Sequence, residues 1–293
     1  MDFKFIENQV SKKWIVLAPR RAKRPDMAKG STPTCPFCVG AEGNEKEVYR
    51  IQSPASKKET DWLVRVIPNK FPFAPIHEIV IHSPDHHKSF DELPISQSQL
   101  ILQAYRQRFQ THQSKGQVYI FHNHGQASGE SLEHPHSQIV VIPDHVGLEI
   151  PPIDFSKEKE DFQQTGFFDI FCPLSSEWPD EVWIASKDKD KTFGQASNEE
   201  LKDLAKILYR LIQILDLRHG HEFPFNFYIS PQINWYLRII PRIKILGGVE
   251  LGAKLWVNTQ DPKETIDFIK EHFESPNEEK IKTIHRAKYS RTV

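Results

Sequence analysis

The sequence is poor in the features that mark several large classes of protein. Only 3 of its 293 residues are cysteines, and a disulfide framework cannot be built from them. No apolar run approaches the roughly 18 residues that a membrane span needs, and the first ten residues lack the apolar centre of a signal peptide. The 38 Lys and Arg residues nearly cancel the 39 Asp and Glu residues, and the net charge of −1 favours neither a nucleic-acid nor a membrane partner. We therefore expect a globular, cytoplasmic protein.

A repeated pattern runs along the chain. The order strand, helix, strand, strand, proline occurs at residues 77–82, 96–113, 117–122 and 137–142 and again at residues 181–185, 198–217, 226–229 and 236–240. Asn198 is the expected N-cap of the second helix. Chance recurrence of a common motif is the alternative to duplication. We predict an α+β fold of two βαββ units with antiparallel sheets, in domains at residues 1–175 and 176–293.

A proline-rich stretch at about residues 143–178 is predicted to link the two units. Residues 123–138 carry the densest group of polar and small residues, and they connect two predicted strands. Gly125 and Gly129 let the backbone approach a ligand closely. Backbone N–H groups in such a loop can cradle an anion. The loop is therefore a candidate binding site.

The loop ends in a histidine-rich strand. Pro135 holds His134 in an extended conformation. Alternate residues of an extended chain face the same way, about 6.5–7 Å apart, so His136 and Gln138 are predicted to share a face with His134. A lone histidine on a strand is more often a core residue. Three polar residues beside a loop rich in glycine and serine favour a functional site instead.

Two cysteines stand close together in the sequence. Cys35 and Cys38 have C-x₂-C spacing, which is half of a zinc site, although a redox pair or two incidental thiols have the same spacing. Cys172 has no neighbouring cysteine, so further ligands have to be histidines. The leading candidates are His86, His87 and His134.

A basic run follows the predicted strand at residues 14–17. It comprises Arg20, Arg21, Lys23 and Arg24. A solvated surface is the simplest interpretation of such a run. In a neutral chain with an anion-cradling loop, an arginine pair that binds phosphates is a credible alternative.

Together these features resemble the galactose-1-phosphate uridylyltransferase family of the histidine-triad superfamily. Residues 134–138 match its H-P-H-x-Q signature, the most specific of the motifs, and residues 123–131 match its N-x-G…G-x-S loop. Cys35 and Cys38 look like its zinc knuckle, residues 83–86 like the segment that supplies a zinc histidine, and residues 21–25 like its phosphate-binding arginines. A weaker match at residues 244–252 resembles the hexose-contacting segment.

The resemblance implies two tandem histidine-triad-like units, the second of them degenerate, and a nucleotidyltransferase. His136 would be the nucleophile that carries the nucleotidyl group between a nucleotide sugar and a sugar 1-phosphate, with Gln138 beside it. One structural Zn²⁺ would be bound by Cys35, Cys38, His86 and His134. The implied substrate-binding residues are Arg21, Arg24, Asn69, Asn123, Gly129, Ser131, Lys244 and Glu250. Similar proteins are dimers, and the resemblance therefore allows a homodimer.

The second half departs from the family pattern. Family members carry histidines around the strand that corresponds to residues 234–240, where they help bind a further metal, and this chain has none there. We therefore expect no second metal. His219 and His221 are instead assigned to charge complementarity at the end of the second helix.

Two other functions share many of these features. One is a phosphorylase or hydrolase of nucleotide sugars or dinucleotides, which would use the same histidine with phosphate or water as acceptor. The other is a non-catalytic protein that binds zinc or a nucleotide, or RNA through residues 20–24. His136 and Gln138 argue against the non-catalytic protein, and the neutral charge argues against RNA. The sequence leaves the base, uracil or adenine, and the hexose open.

Overall fold

A computed structural model describes the protein at residues 3–23, 35–55, 58, 60–153, 161–275, 279–281 and 283. The strands are β1 (Lys4–Glu7), β2 (Trp14–Leu17), β3 (Tyr49–Gln52), β4 (Trp62–Pro68), β5 (Ile76–Ile81), β6 (Gln117–His124), β7 (His136–Ile142), β8 (Gln163–Gln164), β9 (Phe168–Phe171), β10 (Val182–Ser186), β11 (Phe225–Ile229) and β12 (Tyr236–Pro241). The α-helices are α1 (Ile95–His112), α2 (Asn198–His219), α3 (Gly248–Ala253) and α4 (Pro262–Phe273).

Ten strands form one sheet in the order β3-β4-β5-β7-β6-β11-β12-β10-β9-β8. Every neighbouring pair in it is antiparallel. Each unit follows the same plan, since β5, β6 and β7 lie in the order 5-7-6 and β10, β11 and β12 in the order 10-12-11. The units join where β6 pairs with β11. The expected antiparallel α+β fold of two βαββ units is confirmed, while the division at residue 175 stays a prediction.

The helices cover one face of this sheet. Tyr105 and Phe109 of α1 and Leu208 and Leu211 of α2 are buried in one core with residues of the strands. Because side chains alternate along a strand, Ile139 and Val141 of β7 point into that core. The residues that alternate with them along β7, including His136 and Gln138, therefore face away from the helices, on the side of the sheet where the candidate site lies.

Two local predictions need correction. Residues 168–171, which the sequence analysis places in a linker, form strand β9 and pair with β10. The N-cap of α2 is Ser197 and not Asn198. Ser197 Oγ accepts the N–H of Glu200 at 3.1 Å, and Glu200 Oε2 accepts the N–H of Ser197 at 2.7 Å. This reciprocal pair is a capping box, and its S-x-x-E spacing is visible in the sequence.

Among the described residues, no helix is both long enough and apolar enough to cross a membrane.

We expect Ser197→Ala to lower the free energy of unfolding by about 1 kcal/mol, because the substitution removes an N-cap acceptor. Asn198→Ala is the matched control. It leaves the capping box in place and should change the free energy of unfolding by less than about 0.5 kcal/mol. Urea unfolding of the two variants measures the difference, and a larger loss in the control would contradict the assignment of the cap.

Candidate functional site

Four predicted metal ligands come together at one end of β7. Cys38 Sγ lies 3.1 Å from His86 Nδ1 and 3.7 Å from His134 Nδ1, and Cys35 Sγ lies 3.8 Å from His134 Nδ1. All four ligand atoms lie within 4.8 Å of one another. Ligand atoms around one tetrahedral zinc are about 3.3–3.8 Å apart, given Zn–S bonds of about 2.3 Å and Zn–N bonds of about 2.0 Å. The four side chains therefore fit a zinc ion.

Neighbouring groups leave His134 in the form that binds a cation, and they leave Cys38 as a thiol. His134 Nε2–H donates to the carbonyl of Ser83 at 2.9 Å, which leaves the lone pair on Nδ1, towards the two sulfurs. Burial lowers the pKa of His134 to about 4, so the ring is neutral at pH 7. Burial and the adjacent Cys35 raise the pKa of the Cys38 thiol to about 11. A divalent cation at the cluster would favour the Cys38 thiolate and would offset the effects of burial and of Cys35 on the pKa of Cys38.

The structure separates the two histidines that compete for the third ligand position. His86 is half-buried and reaches Cys38, whereas its neighbour His87 is exposed and packs against the ring of His86 at 4.7 Å between centroids. His86 therefore belongs to the cluster, and His87 lies outside it.

His136 lies beside this cluster. Its side chain is 7% exposed, and its Nδ1–H donates to the backbone carbonyl of His134 at 2.9 Å. A neutral imidazole protonated at Nδ1 has its lone pair on Nε2, which is the form a nucleophile needs. The ring of Phe37 stands edge-on to His136 at 5.2 Å and to His134 at 6.1 Å. The ring of His134 therefore lies at the two cysteines, while His136 lines the neighbouring cavity.

A cavity of about 270 Å³ opens beside His136. Its lining is mostly apolar, with polar groups at one side and at the rim. The lining residues are Pro36, Phe37, Glu45, Ile67, Pro68, Asn69, Lys70, Phe71, Ile79, Ser131, Leu132, His136 and Gln138. Four of the predicted site residues thus meet in one cavity, namely Asn69, Ser131, His136 and Gln138. Lys70 and Glu45 form an ion pair at its rim.

The orientation of Gln138 is set by a histidine that the sequence analysis did not assign to the site. His77 Nε2–H donates to Gln138 Oε1 at 2.9 Å. The carbonyl end of the Gln138 amide is therefore engaged, and its NH₂ group is the end that can donate to a ligand. His77 lies on β5 opposite Val140, on the same face as Gln138. His77 shares a face with Ile79 on the predicted strand, but local sequence does not show that this face pairs beside Gln138.

The loop between β6 and β7 is held in shape by its glycines and by one buried acid. Gly125 has φ +78° and Gly129 has φ +90°, values that favour glycine. A Cβ on Gly125 would lie 3.1 Å from the side chain of Pro224 in the second unit. Glu130 Oε2 accepts the N–H of Gly125 at 2.6 Å, and burial raises the pKa of Glu130 to about 8. Asn123, at the end of β6, lies next to Gly129.

The basic run is described only in part. Arg21 Nη1 donates to the carbonyl of Phe71 at 2.7 Å, and its guanidinium lies 5.0 Å from the centre of the Phe73 ring. Because Phe71 lines the cavity, Arg21 stands at the cavity's edge. The predicted binding residue Arg24 lies outside the described residues.

Of the predicted substrate-binding residues that the structure describes, Asn69 and Ser131 line this cavity, whereas Arg21, Asn123, Gly129, Lys244 and Glu250 do not. Lys244 Nζ contacts Glu250 Oε1 at 2.5 Å, and Lys244 also donates to the carbonyl of Val257. Neither Lys244 nor Glu250 is among the residues that line the cavity beside His136. Within one chain the structure does not bring them to His136.

A buried polar network lies beneath β7, on the side of the helices. Ser137 Oγ contacts His82 Nε2 at 2.8 Å and the hydroxyl of Tyr105 at 2.5 Å. His122 Nδ1–H donates to the carbonyl of His136 at 2.9 Å. Burial lowers the pKa of His82 and of His122 well below the usual value, so both rings are neutral. The network fixes the backbone of β7 from behind.

The second unit contains other charged clusters. His219 Nε2 lies 2.9 Å from Asp180, and His221 Nδ1 lies 3.2 Å from Asp216. Both histidines therefore pair with carboxylates, and complementarity to the helix end alone does not explain them. Asp91, Asp216 and His221 present ligand atoms within 4.8 Å of one another, a grouping that the expectation of no second metal did not foresee.

A buried arginine occupies the strand on which the sequence lacks histidines. Arg238 of β12 pairs with Glu181 at 2.7 Å and with Glu177 at 3.3 Å. The pKa of the guanidinium is raised by Glu181, so the group stays charged although it is buried. The two carboxylates therefore already have a cation as partner.

Comparisons with known proteins agree with this geometry. A family model described as galactose-1-phosphate uridyl transferase, N-terminal domain, matches residues 75–143. ADP-glucose phosphorylase from Arabidopsis thaliana is 24% identical over 90% of this chain and 92% of its own length. Galactose-1-phosphate uridylyltransferase from Thermotoga maritima is 24% identical over 90% of this chain and 96% of its own length. The crystal structure of the Arabidopsis thaliana ADP-glucose phosphorylase with bound ADP-glucose has a TM-score of 0.69 at 23% identity, over 92% of this chain and 99% of that chain.

We expect His86→Ala to lose most of the bound zinc and His87→Ala to retain about one zinc per chain, because only His86 lies at the cysteines. The same His86 variant should unfold at a lower denaturant concentration, since structural zinc binding is coupled to folding. Elemental analysis of protein prepared without chelator measures the metal. Equal zinc in the two variants, or none in the native protein, would show that the four-ligand site is wrong.

Proposed function

We propose that this chain, a member of the galactose-1-phosphate uridylyltransferase-like family within the histidine-triad superfamily, transfers a nucleotidyl group between a nucleotide sugar and a sugar 1-phosphate. The relatives named above are nucleotidyltransferases, and this chain is an enzyme of that class. The observation that carries the proposal is the hydrogen bond from His136 Nδ1 to the carbonyl of His134, because it leaves the nucleophilic lone pair on Nε2.

The proposed reaction has two steps. His136 Nε2 attacks the α-phosphorus, an N–P bond forms, and the P–O bond to the departing hexose 1-phosphate breaks with its electron pair on that oxygen. A phosphate oxygen of the second sugar phosphate then attacks the same phosphorus, and the N–P bond breaks. Splitting one phosphoryl transfer into two steps through a covalent intermediate is the general advantage of a nucleophilic side chain.

Two polar groups beside His136 are placed to assist both steps. The NH₂ group of Gln138, oriented by His77, and the hydroxyl of Ser131 can donate to phosphoryl oxygens as negative charge develops there. The apolar walls of the cavity, formed by residues such as Phe37, Ile67 and Phe71, suit the flat face of a base. Arg21 at the cavity edge is proposed to bind a phosphate of the nucleotide.

We assign a structural role to the zinc ion. Cys35, Cys38, His86 and His134 would hold the ion with four protein ligands, which would leave no open position for a substrate and would tie the knuckle to the start of β7. His134 then holds its own carbonyl at a fixed place, where it accepts the Nδ1 proton of His136.

We expect His136→Ala to reduce nucleotidyl transfer by about 10³-fold or more while zinc content stays native, because the nucleophile is lost and no metal ligand is changed. His134→Ala is the matched comparison two residues away, and it should lose zinc and unfold more readily. Labelled UDP-sugars and ADP-sugars, followed by detection of an acid-labile label on His136, measure the intermediate. Near-native transfer by His136→Ala would exclude the covalent mechanism.

A phosphorylase that uses inorganic phosphate as acceptor is the second candidate. The observation that favours it is the similarity to an ADP-glucose phosphorylase. The intermediate on His136 is the same in both reactions.

The two candidates differ in what removes the nucleotidyl group from His136. We expect a transferase to release the label at least about 10-fold faster with a hexose 1-phosphate than with inorganic phosphate at equal concentration, and a phosphorylase to show the reverse. A chase of the labelled protein with each acceptor in turn measures this ratio. Rapid release in water alone, unchanged by either acceptor, would support a hydrolase and contradict both candidates.

A further inference from the structure

A continuous chain of hydrogen bonds crosses from the second unit into the loop that follows β6. Arg242 Nη1 donates to Asn226 Oδ1 at 3.0 Å. Asn226 Nδ2 donates to Asn123 Oδ1 at 2.8 Å and to the carbonyl of Ser128 at 2.9 Å. Asn226 lies on β11 directly opposite Asn123 on β6, at the pairing that joins the two units.

The chemistry of the two end groups, a guanidinium and a backbone carbonyl, fixes the direction of every hydrogen bond in this series. A guanidinium can only donate, so Asn226 must offer its oxygen to Arg242. The backbone carbonyl of Ser128 can only accept, so Asn226 must offer its NH₂ group on the other side. Asn123 therefore accepts through Oδ1, and its own NH₂ group is the end that remains for a ligand. That nitrogen lies 3.9 Å from the point that a Cβ on Gly129 would occupy, at the candidate phosphate-binding loop.

Backbone contacts hold the same part of the second unit against the loop. A Cβ on Gly125 would lie 3.2 Å from the Cα of Pro224, so a larger residue at position 125 would push Pro224 away by a few tenths of an ångström. The N–H of Arg242 donates to the carbonyl of Pro224 at 2.7 Å. The guanidinium of Arg242 packs over the ring of Trp178 at 4.7 Å, which limits its freedom to turn away.

We infer that Asn226 is a positioning residue, which turns the amide of Asn123 so that its NH₂ group, and not its oxygen, faces the phosphoryl group of the substrate. The inference rests on the proposed function, since it assigns Asn123 and the loop at residues 125–129 to phosphate binding. It also gives the second unit a part in the reaction of the first, because both Asn226 and Arg242 come from it.

The substitution Asn226→Asp separates this role from a packing role, because the two side chains have nearly the same shape. A carboxylate at position 226 can accept from Arg242, but it cannot donate to Asn123 or to Ser128. Asn123 would then rotate its NH₂ group towards Asp at position 226 and present its oxygen to the phosphoryl group. An oxygen in place of a donor at a charged phosphate should slow formation of nucleotidyl-His136 by about 10- to 100-fold.

The test is a double-mutant cycle of Asn226→Asp and Asn123→Ala, with the rate of His136 labelling in a single turnover as the readout. If Asn226 acts through Asn123, Asn226→Asp should lower the labelling rate by less than about 3-fold in the Asn123→Ala background, because the amide that Asn226 orients is absent there. Tyr228→Phe, two residues along β11 on the same face, is the control: its hydroxyl contacts Tyr236 and Arg238 and neither asparagine, so the variant should label at the native rate even though it loses those contacts. The affinity for UDP and for ADP is measured in all variants.

The outcomes distinguish this inference from the proposed function. Suppose that the native protein is labelled and that Asn226→Asp lowers the labelling rate equally with Asn123 and with Asn123→Ala. That result would overturn the positioning role and leave the proposed function intact. Absence of labelling in the native protein would overturn the proposed function. The double-mutant cycle would then use the affinity for UDP and for ADP in place of the labelling rate. Coupling of the two asparagines in that affinity would support the positioning role, and additive effects or native affinity in Asn226→Asp would overturn it.

Discussion

The hydrogen bond from His136 Nδ1 to the carbonyl of His134 joins the two chemical parts of the protein. The side chain of His134 belongs to the metal cluster, and its backbone oxygen selects the tautomer of His136. The proline between them keeps the backbone extended, so that the two rings lie on neighbouring sites with Phe37 against both. A shift of the knuckle would therefore move both the carbonyl to which His136 donates and Phe37, which packs against the His136 ring.

The sheet explains why a second unit that lacks the signature histidines is nevertheless part of the molecule. Because β6 pairs with β11, the strand that carries Asn123 has the second unit as its only neighbour on one side. The second unit also contains a buried charge, that of Arg238, which is stabilised by ion pairs with Glu181 and Glu177. The second unit can lack the signature residues and still pair with the first through β11, because strand pairing depends on backbone groups and the signature depends on side chains.

The sequence predicted the repeated elements and the residues of the metal cluster, and both predictions have a physical origin. Strands β5, β6, β7, β11 and β12 and helix α1 were found within two residues of their bounds because their apolar periodicity is strong. Cys35, Cys38, His86 and His134 were found through a family motif, although spacing alone could not decide between His86 and His87. His77 and Asn226 were missed because each acts across a strand pairing, and register between distant strands is not written in local sequence. Strand β9 was missed because four residues in a proline-rich stretch are too few for a periodic signal.

Desolvation has a consistent effect on the histidines around β7. Burial lowers the pKa of His82, His122 and His134, so each ring has one N–H and one lone pair at neutral pH. His122 and His134 use the N–H to donate to a backbone carbonyl, of His136 and of Ser83 respectively. A protonated ring would donate from both nitrogens and would have no lone pair for a metal or for a phosphorus atom. The same burial that costs solvation of a charge therefore keeps His134 in the neutral form, which is the only form in which it can bind a metal.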